Sequence, residues 1–200
     1  MRSNTQLNGS TRERILGTAY QEFRQHGFQG GSINRIVASA GITKGALFHH
    51  FSGKNELGYH VVDEVIRPRV EEKWIEPLKR TDDPIRTLRQ ILYKAAETAR
   101  VDLCQGCPLN NLSQEMSPLD EGFRTRINAI YDAQRTAIEA AFRRGIAAGL
   151  VRKSVNPERA AAFIVAALTG MTGTAKTAQC RELLMMASEG LIDYLDSLKP

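Results

Sequence analysis

The sequence predicts an all-α protein in two parts, a trihelical N-terminal unit over residues 1–55 and a longer helical part over residues 56–200. Three observations carry this expectation. Apolar residues recur three or four apart along most of the chain, and no run alternates with the period of two that a half-buried strand needs. Capping residues, prolines and glycines recur in the order that opens and closes helices. The charge balance also changes along the chain: residues 1–60 hold seven Lys and Arg against three Asp and Glu, and residues 61–200 hold twenty against nineteen.

The elements follow in order. A first helix is expected from Thr11 to His26, with Ile15, Leu16, Ala19, Tyr20 and Phe23 at helical spacing and Gly27 as its stop. Ser32 caps a second, in which Ile33, Ile36, Val37 and Ala40 form the apolar stripe and Gly41 the end. Thr43 caps a third. Residues 54 to about 79 read as a longer helix, interrupted or kinked at Pro68 and stopped near Pro77, because proline lacks the backbone donor. Asp83 and Pro84 start the next, running to about Val101. Ser117 and Pro118 start a long one ending at Gly149, and Asn156 and Pro157 start another reaching about residue 175. A last helix spans roughly 179 to 197. No internal repeat or low-complexity tract interrupts the pattern.

Composition excludes several classes. With 200 residues, 42% of them hydrophobic, the chain can bury an ordinary core. No stretch approaches the ~20 apolar residues of a membrane span, and the opening MRSNTQLNGS lacks the apolar core of a secretory signal. A soluble, cytoplasmic protein with no membrane partner is expected. Cys104, Cys107 and Cys180 are an odd number without an export signal, which points to reduced thiols rather than a disulfide framework. The basic excess and all four histidines, His26, His49, His50 and His60, lie in the N-terminal third. That asymmetry suits a polyanionic partner, although a solvated basic surface is the commoner origin of a modest excess.

The segment GITKGALFHHFSGKNEL, residues 41–57, is the most informative. Two helices joined by a tight glycine turn form the skeleton of a helix-turn-helix, whose second helix enters the DNA major groove by its N-terminal end. On a helix from Lys44, the side chains of Lys44, Phe48 and His49 share a face with Gly45, while Ala46, Leu47 and His50 fall opposite and can pack on Ile33, Ile36 and Val37. Gly45 costs roughly 1 kcal/mol against alanine in a helix. Close approach to a phosphate or base edge would offset that cost, where free backbone amides favour negative charge. Packing accommodation is the other explanation for Gly45, and a plain cap the other role for Thr43.

Residues 11–57, including GFQGGSINRIVASAGITKGALFHHFSGKNEL, resemble the DNA-binding region of the TetR family of transcriptional regulators. Gly27, Ser32, Ile36, Ala40, Gly41, Thr43, Lys44, Leu47, His49, Phe51 and Lys54 carry the resemblance in order. It implies an N-terminal three-helix helix-turn-helix DNA-binding domain and a C-terminal helical domain that binds an inducer and dimerises through its last two helices. The partners so implied are a double-stranded DNA operator, a small-molecule or electrophilic effector and a second copy of the chain. Ser32, Thr43, Lys44, Gly45, Phe48, His49 and Lys54 occupy positions that commonly meet DNA in such proteins. Phe48 stands where tyrosine is frequent, so a phosphate hydrogen bond gives way to apolar contact, and Asn55 replaces a frequent acidic residue.

The C-terminal part adds its own evidence. AAAFIVAALTGMTGTA, residues 160–175, is rich in apolar and small side chains, and residues 183–198 add Leu183, Leu184, Met186, Leu191, Tyr194, Leu195 and Leu198. Two such helices per subunit could form a four-helix interface with their symmetry mates, or be buried within one chain. In CQGCPLNNLSQEM, residues 104–116, the cysteine pair lacks the preceding strand of a thioredoxin-like site and the further ligands zinc needs. No metal or cofactor is expected. Cys107 near a helix N-terminus suits either a thiol sensor of electrophiles or oxidants or a small residue shaping the helix start. Inducer-binding or sensing candidates are Trp74, Tyr93, Cys104, Cys107, Asn111, Gln114, Phe123, Tyr131 and Phe163, an apolar set with a few polar groups. Repression is the expected output rather than catalysis. The competing class is a dithiol redox protein without DNA binding, although no nucleophile, base and orienting set is visible.

Overall fold

A computed structural model describes residues 10–98 and 105–200, and every regular element among them is helical. Helix α1, Thr11–Gly30, opens on a reciprocal capping box, in which Glu13 N–H donates to Ser10 Oγ and Ser10 N–H to Glu13 Oε2. Gly27 breaks it at φ 73°, a left-handed conformation that suits glycine. Helix α2, Ile33–Ala40, ends at Gly41 with φ 63°, and the Ile42 N–H returns to the Val37 carbonyl at 3.1 Å. Helix α3, Lys44–His50, starts where Ala46 N–H donates to Thr43 Oγ1 at 3.1 Å.

Helix α4 occupies residues 54–79, and neither proline stops it. Two π-helical stretches, Val61–Ile66 and Glu71–Ile75, stand just ahead of Pro68 and Pro77, which sit in α-helical turns Arg67–Val70 and Glu76–Lys79. A widened turn before each ring accommodates the missing donor and the crowding of the preceding carbonyl, so the helix continues past both.

Helix α5, Pro84–Thr98, is capped by Asp83, whose Oδ1 accepts from Arg86 N–H at 2.9 Å. Its expected continuation to Val101 lies outside the described residues. Helix α6 is Pro108–Met116, and helix α7 is Glu121–Ala147. The start of α7 differs from the expected Ser117 and Pro118. Asp120 is the cap, its Oδ1 accepting from Phe123 N–H at 2.9 Å, and a carboxylate with Glu121 behind it suits the positive end of a helix better than a serine. Helices α8, Pro157–Ala178, and α9, Arg181–Asp196, complete the chain, Asn156 capping α8 through Arg159 N–H at 2.9 Å.

Two cores result. One joins Ile15, Phe23, Leu47, Phe51 and Leu57 to Leu112 and Met116 of α6 and to Phe123 and Ile127 of α7. The other packs Leu88, Ile138, Phe142, Ile164, Leu191 and Leu195. Helix α7 runs through both, Phe123 being wholly buried at one end and Phe142 at the other. Full burial of such a side chain stabilises by about 1.5–3 kcal/mol, so this helix fixes the N-terminal unit to the regulatory helices.

Candidate nucleic-acid interface and regulatory cavity

Helix α3 has one anchored and one open face. Leu47 is wholly buried and Ala46 and His50 are partly buried, while Thr43, Lys44, Gly45, Phe48 and His49 are exposed. Phe48 leaves 49% of its surface uncovered, an unusual exposure for an aromatic ring unless something else covers it. A Cβ on Gly45 would meet only Thr43 Oγ1, at 3.8 Å, which is ordinary contact. Packing within the chain therefore does not explain that glycine. It does explain Gly58, where a Cβ would lie 2.5 Å from Phe123 Cζ and 2.6 Å from Phe28 Cε2.

The flanking candidates are engaged within the fold. Ser32 accepts from Arg35 N–H at 3.4 Å and donates its own N–H to Glu22 at 2.9 Å. Lys54 Nζ donates to the Gln29 carbonyl at 3.0 Å and lies 4.9 Å from the centre of the Phe28 ring. Burial pushes the Lys54 pKa down, and Glu115 nearby opposes this. Asn55 donates to Asp120 at 3.1 Å, and Tyr59 donates to the same carboxylate at 2.8 Å. An acidic residue at position 55 would face that carboxylate, so the asparagine fits its partner.

Helix α6 connects this unit to a cavity. Near its end, Glu115 accepts from the backbone N–H groups of Phe28 and Gln29. At its start, Cys107, Pro108 and Leu109 line a cavity of about 340 Å³, within the ~300–1,000 Å³ range of small-molecule pockets. Trp74 of α4, Tyr131 of α7, and Leu168 and Met171 of α8 form other walls. Burial pushes the Tyr131 phenol above its ordinary pKa, and Cys107 reinforces the shift. Burial lowers the Lys73 pKa while Cys107 opposes it.

Of the sequence-predicted sensing residues, the structure brings Trp74, Cys107 and Tyr131 to this cavity. Tyr93 and Phe163 point outward instead, 53% and 50% exposed. Phe123 is wholly buried in the other core, between Phe28 at 4.6 Å and Tyr59 at 5.0 Å. Asn111 lies outside the lining, accepting from Lys176 Nζ at 3.0 Å and donating to the Gln105 carbonyl at 2.6 Å. Gln114 is exposed and also outside the lining. Cys104 lies outside the described residues. Sequence reading missed Tyr20, Arg69, Lys73, Gln134 and Ser188, all of which line the cavity. Gln134 carried a usable signal, an uncharged polar residue among the apolar positions of α7.

The outer face of α8 and α9 is apolar. Ala162, Phe163, Ala166 and Gly170 are exposed along α8, and Met185 and Met186 along α9. Leu184, Leu191, Leu195 and Leu198 are buried within the chain. No group of three or more His, Cys, Asp or Glu stands ready to hold a metal ion among the described residues, and no helix among them is long and apolar enough to cross a membrane.

The sequence matches two family models, "Bacterial regulatory proteins, tetR family" over residues 15–58 and "Tetracyclin repressor-like, C-terminal domain" over residues 84–191. The HTH-type transcriptional repressor DhaR of Mycobacterium sp. (strain GP1) is 27% identical over 180 residues, 86% of each chain. The HTH-type transcriptional regulator LmrA of Bacillus subtilis (strain 168) is 26% identical over 137 residues, 68% of this chain and 72% of that protein. Among solved structures, a TetR transcriptional regulator from Chloroflexus aurantiacus J-10-fl superposes with a TM-score of 0.83 at 28% identity, covering 94% of this chain and 96% of the other. With its helix-turn-helix and its C-terminal helices both matched, the chain belongs to the tetR family of transcriptional regulators.

Proposed function

We propose that two copies of the chain bind a near-palindromic DNA operator through paired α3 helices, repress transcription there, and release the operator when a small molecule fills the cavity. The open face of α3 is the observation that carries the reading: Thr43, Lys44, Gly45, Phe48 and His49 are exposed while Leu47 behind them is fully buried. Paired recognition helices of a symmetric dimer reach half-sites about 34–36 Å apart. The exposed apolar face of α8 and α9 supplies a self-complementary surface for the second copy. Ligand capture would favour a dimer with the wrong helix separation, and affinity would fall by population shift.

A second reading of the signal rests on Cys107, a free thiol that lines the same cavity at the start of α6. An electrophile or oxidant entering the cavity would meet it. Cys107→Ser should then abolish release by quinones, aldehydes or hypochlorite and leave operator affinity intact. The function as a whole is tested by genomic selection of DNA fragments on the purified protein, with sedimentation of the bound species. Enrichment of an inverted repeat by a dimer is expected, and recovery of no common sequence would rule the regulator reading out.

A further inference from the structure

The cavity holds two polar side chains with nothing to bind. Gln134 is 6% exposed and lines the cavity, yet its amide makes no hydrogen bond among the described residues. A buried amide left unpaired is costly, so a ligand atom is its natural partner. Lys73 also lines the cavity and makes neither a hydrogen bond nor an ion pair among the described residues; its ammonium lies 5.6 Å from the Trp74 ring centre. The side chain stays accessible to solvent, and enough protein surrounds it to disfavour the charge.

The rest of the lining selects among ligands. It contains Arg69 and Lys73, one helical turn apart on α4, and no Asp or Glu. Arg69 is already occupied, donating to the Val65 carbonyl at 2.7 Å and lying 4.6 Å from the Tyr20 ring centre. The acids of this stretch, Glu71, Glu72 and Glu76, line a separate depression with Pro68 and Pro77. The cavity thus offers one free cation, one free amide and an apolar wall of Leu168, Met171 and Leu184. A single cation in a small apolar space suits a monoanion better than a phosphate ester, whose second charge would be desolvated without a partner.

Building on the inducer role proposed for this cavity, we infer that its ligand is a small organic acid, with a carboxylate against Lys73, a polar atom against Gln134 and an apolar body against α8 and α9. Trp74 is the only tryptophan in the chain and lines the cavity, so its fluorescence reports filling without DNA. The titration uses 2-naphthoate and octanoate, each beside its primary amide and primary amine, on the native dimer and on Lys73→Met. At least one acid should bind about tenfold more tightly than its amide, and Lys73→Met should remove that preference while leaving amide binding unchanged. Equal binding of acid and amide, tighter binding of the amine, or no saturable response to either acid overturns the inference. The native acid-to-amide comparison decides the matter even if the variant folds poorly. An acid that quenches Trp74 but leaves the operator bound supports the ligand class and counts against the inducer reading, so the two fail separately.

Discussion

The carboxylate of Glu115 holds the backbone of Phe28, accepting its N–H at 2.8 Å and that of Gln29 at 2.7 Å, across 87 positions of sequence. Gly27 makes this possible, because its φ of 73° ends the regular turn of α1 and leaves those two amides without helical acceptors. The carboxylate sits on α6, whose other end lines the cavity, so one short helix touches both the ligand space and the frame that carries α3.

Removing that clamp should loosen the N-terminal unit locally. A hydrogen bond to a charged group contributes about 1.5–3 kcal/mol, and the exposure of Gln29 places this pair at the low end. In Glu115→Ala, exchange of the Phe28 and Gln29 amides should speed by about tenfold, with smaller changes in α8 and α9. Hydrogen exchange resolved to those amides checks it, and unchanged protection would remove Glu115 from the coupling path.

Gly45 should separate stability from binding. Alanine there meets nothing nearer than 3.8 Å and favours the helix, so Gly45→Ala should stabilise the free protein by up to about 1 kcal/mol. The added methyl faces the proposed DNA side, and operator affinity should fall by about tenfold or more. Thermal melting and a DNA shift assay on one preparation measure both effects. An alanine variant with full affinity would defeat the close-approach explanation.

Gly58 should behave in the opposite way. A Cβ at 2.5 Å from Phe123 and 2.6 Å from Phe28 overpacks the junction of α1, α4 and α7. Gly58→Ala should therefore destabilise by about 1–3 kcal/mol. Denaturant unfolding reads this directly, and a midpoint equal to wild type would mean the two rings can move aside.

The legible parts of this protein were those whose causes are local. Ser32, Gly41 and Thr43 act within four residues of themselves, so the limits of α2 and α3 could be read from the chain, as could the two faces of α3. The π-helical stretches before Pro68 and Pro77 depend on how α4 packs along its whole length, and proline alone gave the wrong end. Phe123 and Phe163 carry helical periodicity that identifies a buried or sticky face without saying which core, or which surface, receives it. Lys73 and Gln134 stand out only once their neighbours are known, because an unpaired polar group is defined by what surrounds it.

Lys54 stands between an internal latch and a phosphate contact, for its ammonium already meets the Gln29 carbonyl and the Phe28 ring. If it also meets a phosphate, Lys54→Gln should weaken binding to every DNA sequence and reduce the slope of log K against log salt by about 0.9. Shift assays across a salt series give that slope. An unchanged slope with a lowered melting temperature would assign Lys54 to the fold alone.

Acid sensitivity should trace in part to Glu64. Arg12 of α1 donates to its carboxylate at 2.6 Å and His60 Nδ1 lies 2.7 Å away, and the Arg12 hydrogen bond above all holds the Glu64 pKa at about 2, against an ordinary 4.5. A carboxyl that binds its proton more weakly when folded contributes stability above the ordinary value and loses it as pH falls toward the folded one. The contribution should therefore be whole at neutral pH and fade between 4.5 and about 2. Water screens a side chain that remains 39% exposed, so the effect should be only about 0.5 kcal/mol. Melting of the wild type and Glu64→Gln across that range checks the sign, since the gap between them should narrow with acid, and a gap that widens would place the coupling elsewhere.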